Sequence, residues 1–130
     1  MTSQPASEGL FESFRRAEML IDRSRPLDAL QALGPVLESL PNDVSVQLLA
    51  GRAYLNSAQL RLAEQAFTRV LDLDPADHYA RFALGKALQR QGRLAEAHAQ
   101  LKMAAAMDPR PEYQEALGEV SASIALRRGA

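Results

Sequence analysis

"LDLDPADHYARFALGKAL", residues 71–88, holds an Asp-Pro pair at Asp74–Pro75, and the pair returns at Asp108–Pro109 after the run "AAAM". The interval is 109 − 75 = 34, and the same step back from Pro75 lands on Pro41 (75 − 41 = 34). Proline pushes the residue before it out of helical geometry, so each of these prolines marks a helix stop. Other columns keep the same register: Ala29, Ala63 and Ala97; Leu33, Phe67 and Leu101; Leu20, Tyr54 and Leu88. Gly51 and Gly85 add another, with Ala17 as the first unit's equivalent. So many columns in one register mark an internal repeat.

Each unit reads as a helix-turn-helix. In "SVQLLAGRAYLN", Val46, Leu49, Ala50, Ala53 and Tyr54 fall at the three- and four-residue spacing of one helix face. A break follows at Ser57–Ala58, and Leu60, Ala63, Phe67, Val70 and Leu71 form a second amphipathic helix that Asp74–Pro75 ends. Asp77 is placed to cap the helix after it. The small residues Gly51, Gly85, Ala63 and Ala97 let paired helices approach closely, with Phe67 and Tyr54 filling the wider gaps. One irregularity is expected. Gly34–Pro35 falls inside the second helix of the first unit, where proline removes a backbone donor, so a kink or early stop is predicted there.

This pattern of small, aromatic, small, aromatic and proline columns resembles the tetratricopeptide repeat. Unit two reads Ala50–Gly51, Tyr54, Ala63, Phe67, Pro75; unit three Leu84–Gly85, Leu88, Ala97, Leu101, Pro109; unit one Ala17, Leu20, Ala29, Leu33, Pro41. Ser13, Gln47 and Arg81 stand where the family pattern has tryptophan. The resemblance implies an all-α, right-handed solenoid. Its expected organisation is a flexible N-terminus (1–8), repeats over 9–111 (units of about 10–43, 44–77 and 78–111), a capping helix (112–127) and a flexible end (128–130). The capping helix carries the stripe Tyr113, Ala116, Leu117, Val120 and Ile124; Leu117–Gly118 echoes Leu84–Gly85 at an offset of 33 rather than 34. A cap over the end of unit three is what a repeat array requires.

Composition narrows the function classes. The chain has 130 residues and no cysteine, which excludes disulfides, thiolate metal sites and a cysteine nucleophile. Its 15 basic and 16 acidic residues leave a net charge of −1, so no global field draws nucleic acid or an anionic membrane. "MTSQPASEGLF" lacks the basic start and apolar core of a signal peptide, and no apolar run is long enough for a membrane span. The expectation is a soluble, cytoplasmic protein.

A search for catalysis finds nothing to assemble. There is no phosphate-cradling glycine loop, no G-x-S-x-G and no H-E-x-x-H. His78 and His98 lie on different predicted helices without ligand spacing and read as surface residues. Asp72, Asp74 and Asp77 faintly suggest a calcium loop, but the required glycine is absent and Ala76 occupies a ligand position. No enzyme, metal or cofactor is predicted. Nucleic acid is not a predicted partner either, because the arginines and lysines are interspersed with acids.

The resemblance implies that the first helices of the pairs line a concave groove for a peptide or helix of another protein, as in an adaptor, scaffold or small chaperone. Phe11 and Phe14 on the first such helix stand in register with Tyr79 and Phe82 on the third (79 − 11 = 68, two periods), with Ser45 and Leu48 between them. An apolar groove rimmed by Arg52, Lys86 and Arg90 is the expectation, with Glu18 and Leu55 alongside. The alternative for these aromatic columns is core packing between units. An apolar strip with cationic edges suits an amphipathic helix or an extended acidic segment. A homo-oligomer assembled through the same surface or the C-terminal helix is the rival reading. Heat-shock co-chaperones of this family hold a terminal carboxylate with lysine, asparagine and arginine; Phe14, Glu18, Leu49, Tyr79 and Ala83 fall at those positions here, so no such clamp is predicted.

Overall fold

The computed structural model describes residues 6–129. Among them are seven α-helices and no strand: α1 (Ala6–Asp22), α2 (Pro26–Ser39), α3 (Val44–Asn56), α4 (Leu60–Leu73), α5 (His78–Arg90), α6 (Leu94–Met107) and α7 (Pro111–Gly129). Each helix packs on the next in sequence, and α1, α3, α5 and α7 also touch in succession. The result is an all-α solenoid in which the odd helices form one layer and the even helices the other.

The repeat period is visible in the backbone itself. Ser24, Ala58 and Gly92 stand one period apart (58 − 24 = 34; 92 − 58 = 34), and all adopt positive φ, at 60°, 61° and 78°. Each closes its helix pair in the same way. Arg25, Gln59 and Arg93 donate their amides to the carbonyls of Leu20, Tyr54 and Leu88 at 2.8, 2.8 and 3.0 Å. These are the six-to-one bonds of a Schellman ending, which needs a left-handed residue just before the donor. Between pairs, the helices stop before Leu40–Pro41, Asp74–Pro75 and Asp108–Pro109. Asp43 then accepts from the Val46 amide at 3.0 Å and Asp77 from the Ala80 amide at 2.9 Å, capping α3 and α5.

Close approach within pairs follows the small columns. Ala17, Ala29, Ala63 and Ala97 are fully buried. A Cβ on Gly51 would lie 2.6 Å from the Phe67 ring, and one on Gly85 would lie 2.7 Å from Leu101 Cγ. In the column that holds tryptophan in the family, Gln47 and Arg81 reach back to the carbonyls of Pro41 and Pro75, at 2.8 and 3.2 Å. Polar ties thus hold the start of each helix to the preceding loop, where the family pattern has an apolar ring.

The sequence-based expectations need correction at particular points. Helix α2 runs unbroken through Pro35 to Ser39, with no early stop. Pro35 and Gln31, whose carbonyl loses its partner four residues on, both lie on the exposed side of the helix, where solvent is at hand for the freed acceptor. At the ends, α1 begins at Ala6, within the stretch expected to be flexible, whereas residues 1–5 lie outside the described residues. Helix α7 continues through Arg128 to Gly129. Arg127 donates to the Gly92 carbonyl at 3.2 Å, and two arginines in the last turn suit the negative end of the helix dipole.

Helix α7 buries Tyr113, Ala116 and Val120 against the end of the stack. His78 also differs from expectation: it is half-buried, bound to Tyr113 and Asp108 rather than free on the surface. Its Nε2 lies 3.2 Å from Asp108 Oδ2, and its Nδ1 lies 2.8 Å from the Tyr113 hydroxyl. A carboxylate only accepts, so Nε2–H donates to Asp108, which leaves Nδ1 of the neutral ring to accept from the tyrosine hydroxyl.

Candidate protein-binding groove

The face made by α1, α3 and α5 is hollowed. Phe14 and Glu18 from α1, Ser45, Leu48, Leu49 and Arg52 from α3, and Tyr79 from α5 line a cavity of about 510 Å³. The helical period produces this grouping, since residues 14 and 18, 45, 48 and 52, and 79 recur three or four apart on facing helix sides. Leu49 is buried, Phe14 and Leu48 are half-buried, and Tyr79 is 37% exposed. A second hollow, of about 370 Å³, opens beside it between α1, α2 and the start of α3. Phe14 and Ser45 line both. Phe11, at 63% exposure, stands at the mouth of the second with the Arg15 guanidinium 5.9 Å from its ring centre.

Charge in the groove is local. Arg52 faces Asp22 at 3.8 Å, beyond hydrogen-bond reach. Glu18 and Arg15 are 3.9 Å apart along one helix turn. Burial raises the Tyr79 phenol above its ordinary value, while nearby Arg52 pulls it back down and Asp77 adds to the rise. Lys86 makes no ion pair among the described residues, whereas Arg90 donates to the Leu55 carbonyl at 2.9 Å. Among those residues no three histidine, aspartate or glutamate side chains come together to hold a metal, and no helix is long and apolar enough to cross a membrane.

The residues singled out from sequence therefore divide. Phe14, Glu18, Leu48, Arg52 and Tyr79 come together in one hollow, with Phe11 at its neighbour's mouth. Leu55 packs half-buried against the central core. Phe82 turns toward α7, stacked on Tyr113 with ring centres 4.6 Å apart and planes 24° from parallel. Sequence reasoning missed Leu10, Val36, Leu40 and Val46, which line the second hollow. It also missed Tyr113 as the partner of Phe82. Counting from the helix starts would have shown it. Arg110, before α7, follows Asp77 at one short of the period (110 − 77 = 33), so Tyr113 takes the place of Ala80 and Val46.

Comparison with known proteins agrees with this architecture. The model of the family described as "Tetratricopeptide repeat" matches residues 57–120. A curated relative, Protein O-mannosyl-transferase Tmtc3 of Drosophila melanogaster, is 32% identical over 101 residues, which are 77% of this chain. The chain spans only 11% of that relative's length. Among solved structures, the first repeat domain of Spaghetti (RPAP3) bound to the HSP90 peptide SRMEEVD superposes with a TM-score of 0.84 at 16% identity, covering 92% of this chain and 95% of that one. MamA gives 0.83 at 17% identity, covering 92% and 70%. The Yersinia enterocolitica type III secretion translocator chaperone SycD gives 0.78 at 21%, covering 98% and 90%. Repeat period, family match and shared fold agree, and the chain belongs to the tetratricopeptide-repeat family.

Proposed function

We propose that the chain is a protein-interaction module that holds an apolar segment of a partner protein in the α1–α3–α5 groove. The observation that carries this reading is the hollow formed jointly by Phe14, Leu48, Leu49, Tyr79 and Arg52. It offers half-buried apolar surface next to a guanidinium that no carboxylate among the described residues hydrogen-bonds, the combination that suits a helix or strand with apolar and acidic residues. The structural neighbours that hold HSP90 and HSP70 peptides make peptide binding the natural use of this fold. Their heat-shock ligands do not carry over, because Leu49 and Ala83 are buried and Phe14, Glu18 and Tyr79 supply no cationic or amide clamp. The transferase activity in the relative's name is not carried over either, given the small share of it that this chain spans. The expected cytoplasmic location is part of the proposal and is checked by fractionation.

The test is capture of partners from the native lysate by wild type and by a Phe11→Glu, Tyr79→Glu variant. Both side chains are exposed, so the variant should keep its fold by circular dichroism. A partner held by wild type and lost by the variant supports the groove, and equal capture by both overturns it. Sedimentation at several concentrations separates a monomer with a free groove from self-assembly through the same surface.

A further inference from the structure

The internal repetition shows what fits the second hollow. Phe14 stands two periods before Phe82 (82 − 14 = 68), and Val46 stands at the place of Tyr113 when helices are counted from their starts. In the third unit the Tyr113 ring stacks on Phe82, is 1% exposed and seals the space between α5, α6 and α7. In the first unit the smaller Val46 leaves the equivalent space between α1, α2 and α3 as the open hollow of about 370 Å³. One end of the molecule thus contains an aromatic plug that the other end lacks.

The polar surroundings differ in an informative way. Tyr113 has its hydroxyl held by His78, which Asp108 holds in turn. Two periods earlier these positions are Leu10 and Leu40 (78 − 10 = 68; 108 − 40 = 68). A ring in the first hollow meets carbon where Tyr113 meets a hydroxyl partner. A buried hydroxyl without a partner is costly, so the hollow favours a ring without one. The one acid at its edge, Asp43, has its Oδ1 engaged in capping α3. The neighbouring hollow, joined through Phe14 and Ser45, presents Arg52.

Resting on the groove reading above, we propose that the hollow between α1, α2 and α3 is an anchor subsite for a phenylalanine of a partner segment, whose nearby carboxylate pairs with Arg52. The ring stacks on Phe14 as Tyr113 stacks on Phe82, and the acid completes the guanidinium's hydrogen bonds.

A random dodecapeptide library displayed on phage, selected on the full chain, tests this. The expected consensus is phenylalanine with an acidic neighbour, and replacing that phenylalanine with tyrosine in the synthetic peptide should weaken binding about tenfold. Val46→Tyr, which supplies the plug from within, should abolish binding of that peptide. If Val46→Tyr does not fold, Ser45→Trp at the exposed rim gives the same block. A consensus lost on Tyr79→Glu but indifferent to the plug and to the tyrosine exchange overturns the subsite and leaves the groove standing. Binding unaffected by all of these variants overturns both. Self-association at the selection concentration, abolished by Val46→Tyr, would make a second copy the occupant and overturn the proposal.

Discussion

Replacing Gly51 with alanine tests the reasoning about close helix approach most directly. The added Cβ would lie 2.6, 2.7 and 2.9 Å from three atoms of the Phe67 ring. Phe67 is fully buried, so the ring has no solvent side to move into. Overpacking of this kind costs about 1–3 kcal/mol. Alanine is the better helix former by about 1 kcal/mol, which offsets part of that cost. The net expectation is a loss of up to about 2 kcal/mol, read from urea unfolding. At ~2.1 cal/mol/K per residue over this length, each kcal/mol lowers Tm by about 4 °C. The first unit supplies the compensating change, since it pairs Ala17 with Leu33 where the second pairs Gly51 with Phe67. Phe67→Leu alone loses buried ring volume, but together with Gly51→Ala it recreates the first unit's pairing. The double-mutant cycle should therefore show a favourable coupling of about 1 kcal/mol or more. If Gly51→Ala is more stable than wild type, or the two changes add within about 0.3 kcal/mol, the ring does not hold the helix at that distance.

The positive-φ column predicts opposite effects from mirror-image substitutions. Gly92→Ala should destabilise by about 1 kcal/mol, because a side chain at φ 78° is strained, and Ala58→Gly should stabilise by up to about that amount in thermal melts. At the last loop, the hydrogen bond from Arg110 holds the Asp108 carboxyl below its ordinary value, with His78 a smaller aid. A depressed carboxyl contributes stability that is complete above the ordinary carboxylate range and lost as pH falls through its folded value. Arg110→Ala should thus lower Tm at pH 7 while wild type and variant converge toward pH 2, with carboxyl-carbon NMR showing Asp108 titrating higher. Tyr113→Ala should cost about 3 kcal/mol or more by removing a large buried ring, and hydrogen exchange should quicken in α7 before the other helices.

Much of this architecture was legible because it repeats. Pro41, Pro75 and Pro109 end three helices, and Asp77 caps α5 as its position after Pro75 implied. The continuity of α2 was not legible, because the effect of Pro35 depends on whether Gln31's carbonyl faces water, which only the packed helix decides. Ser24 and Ala58 hid their left-handed turns because neither residue type signals them. Only Gly92 does, and register alone links the three. At the site, spacing placed Phe14, Leu48 and Tyr79 on neighbouring helix faces. The direction of Phe82 depended on a one-residue shortening before α7 that moves Tyr113 onto it.

The neighbour-only packing of the helices has a consequence for how the chain acquires its structure. Among the described residues the backbones of α1 and α2 come close to no helix beyond α3, and the first hydrophobic cluster, centred on Ala17, Leu33, Val36 and Leu49, closes within residues 10–54. Such local wiring gives a low contact order and rapid folding. On the ribosome, the N-terminal pair and α3 can be packed while α6 and α7 are still being synthesised, and each later helix finds its docking surface already built.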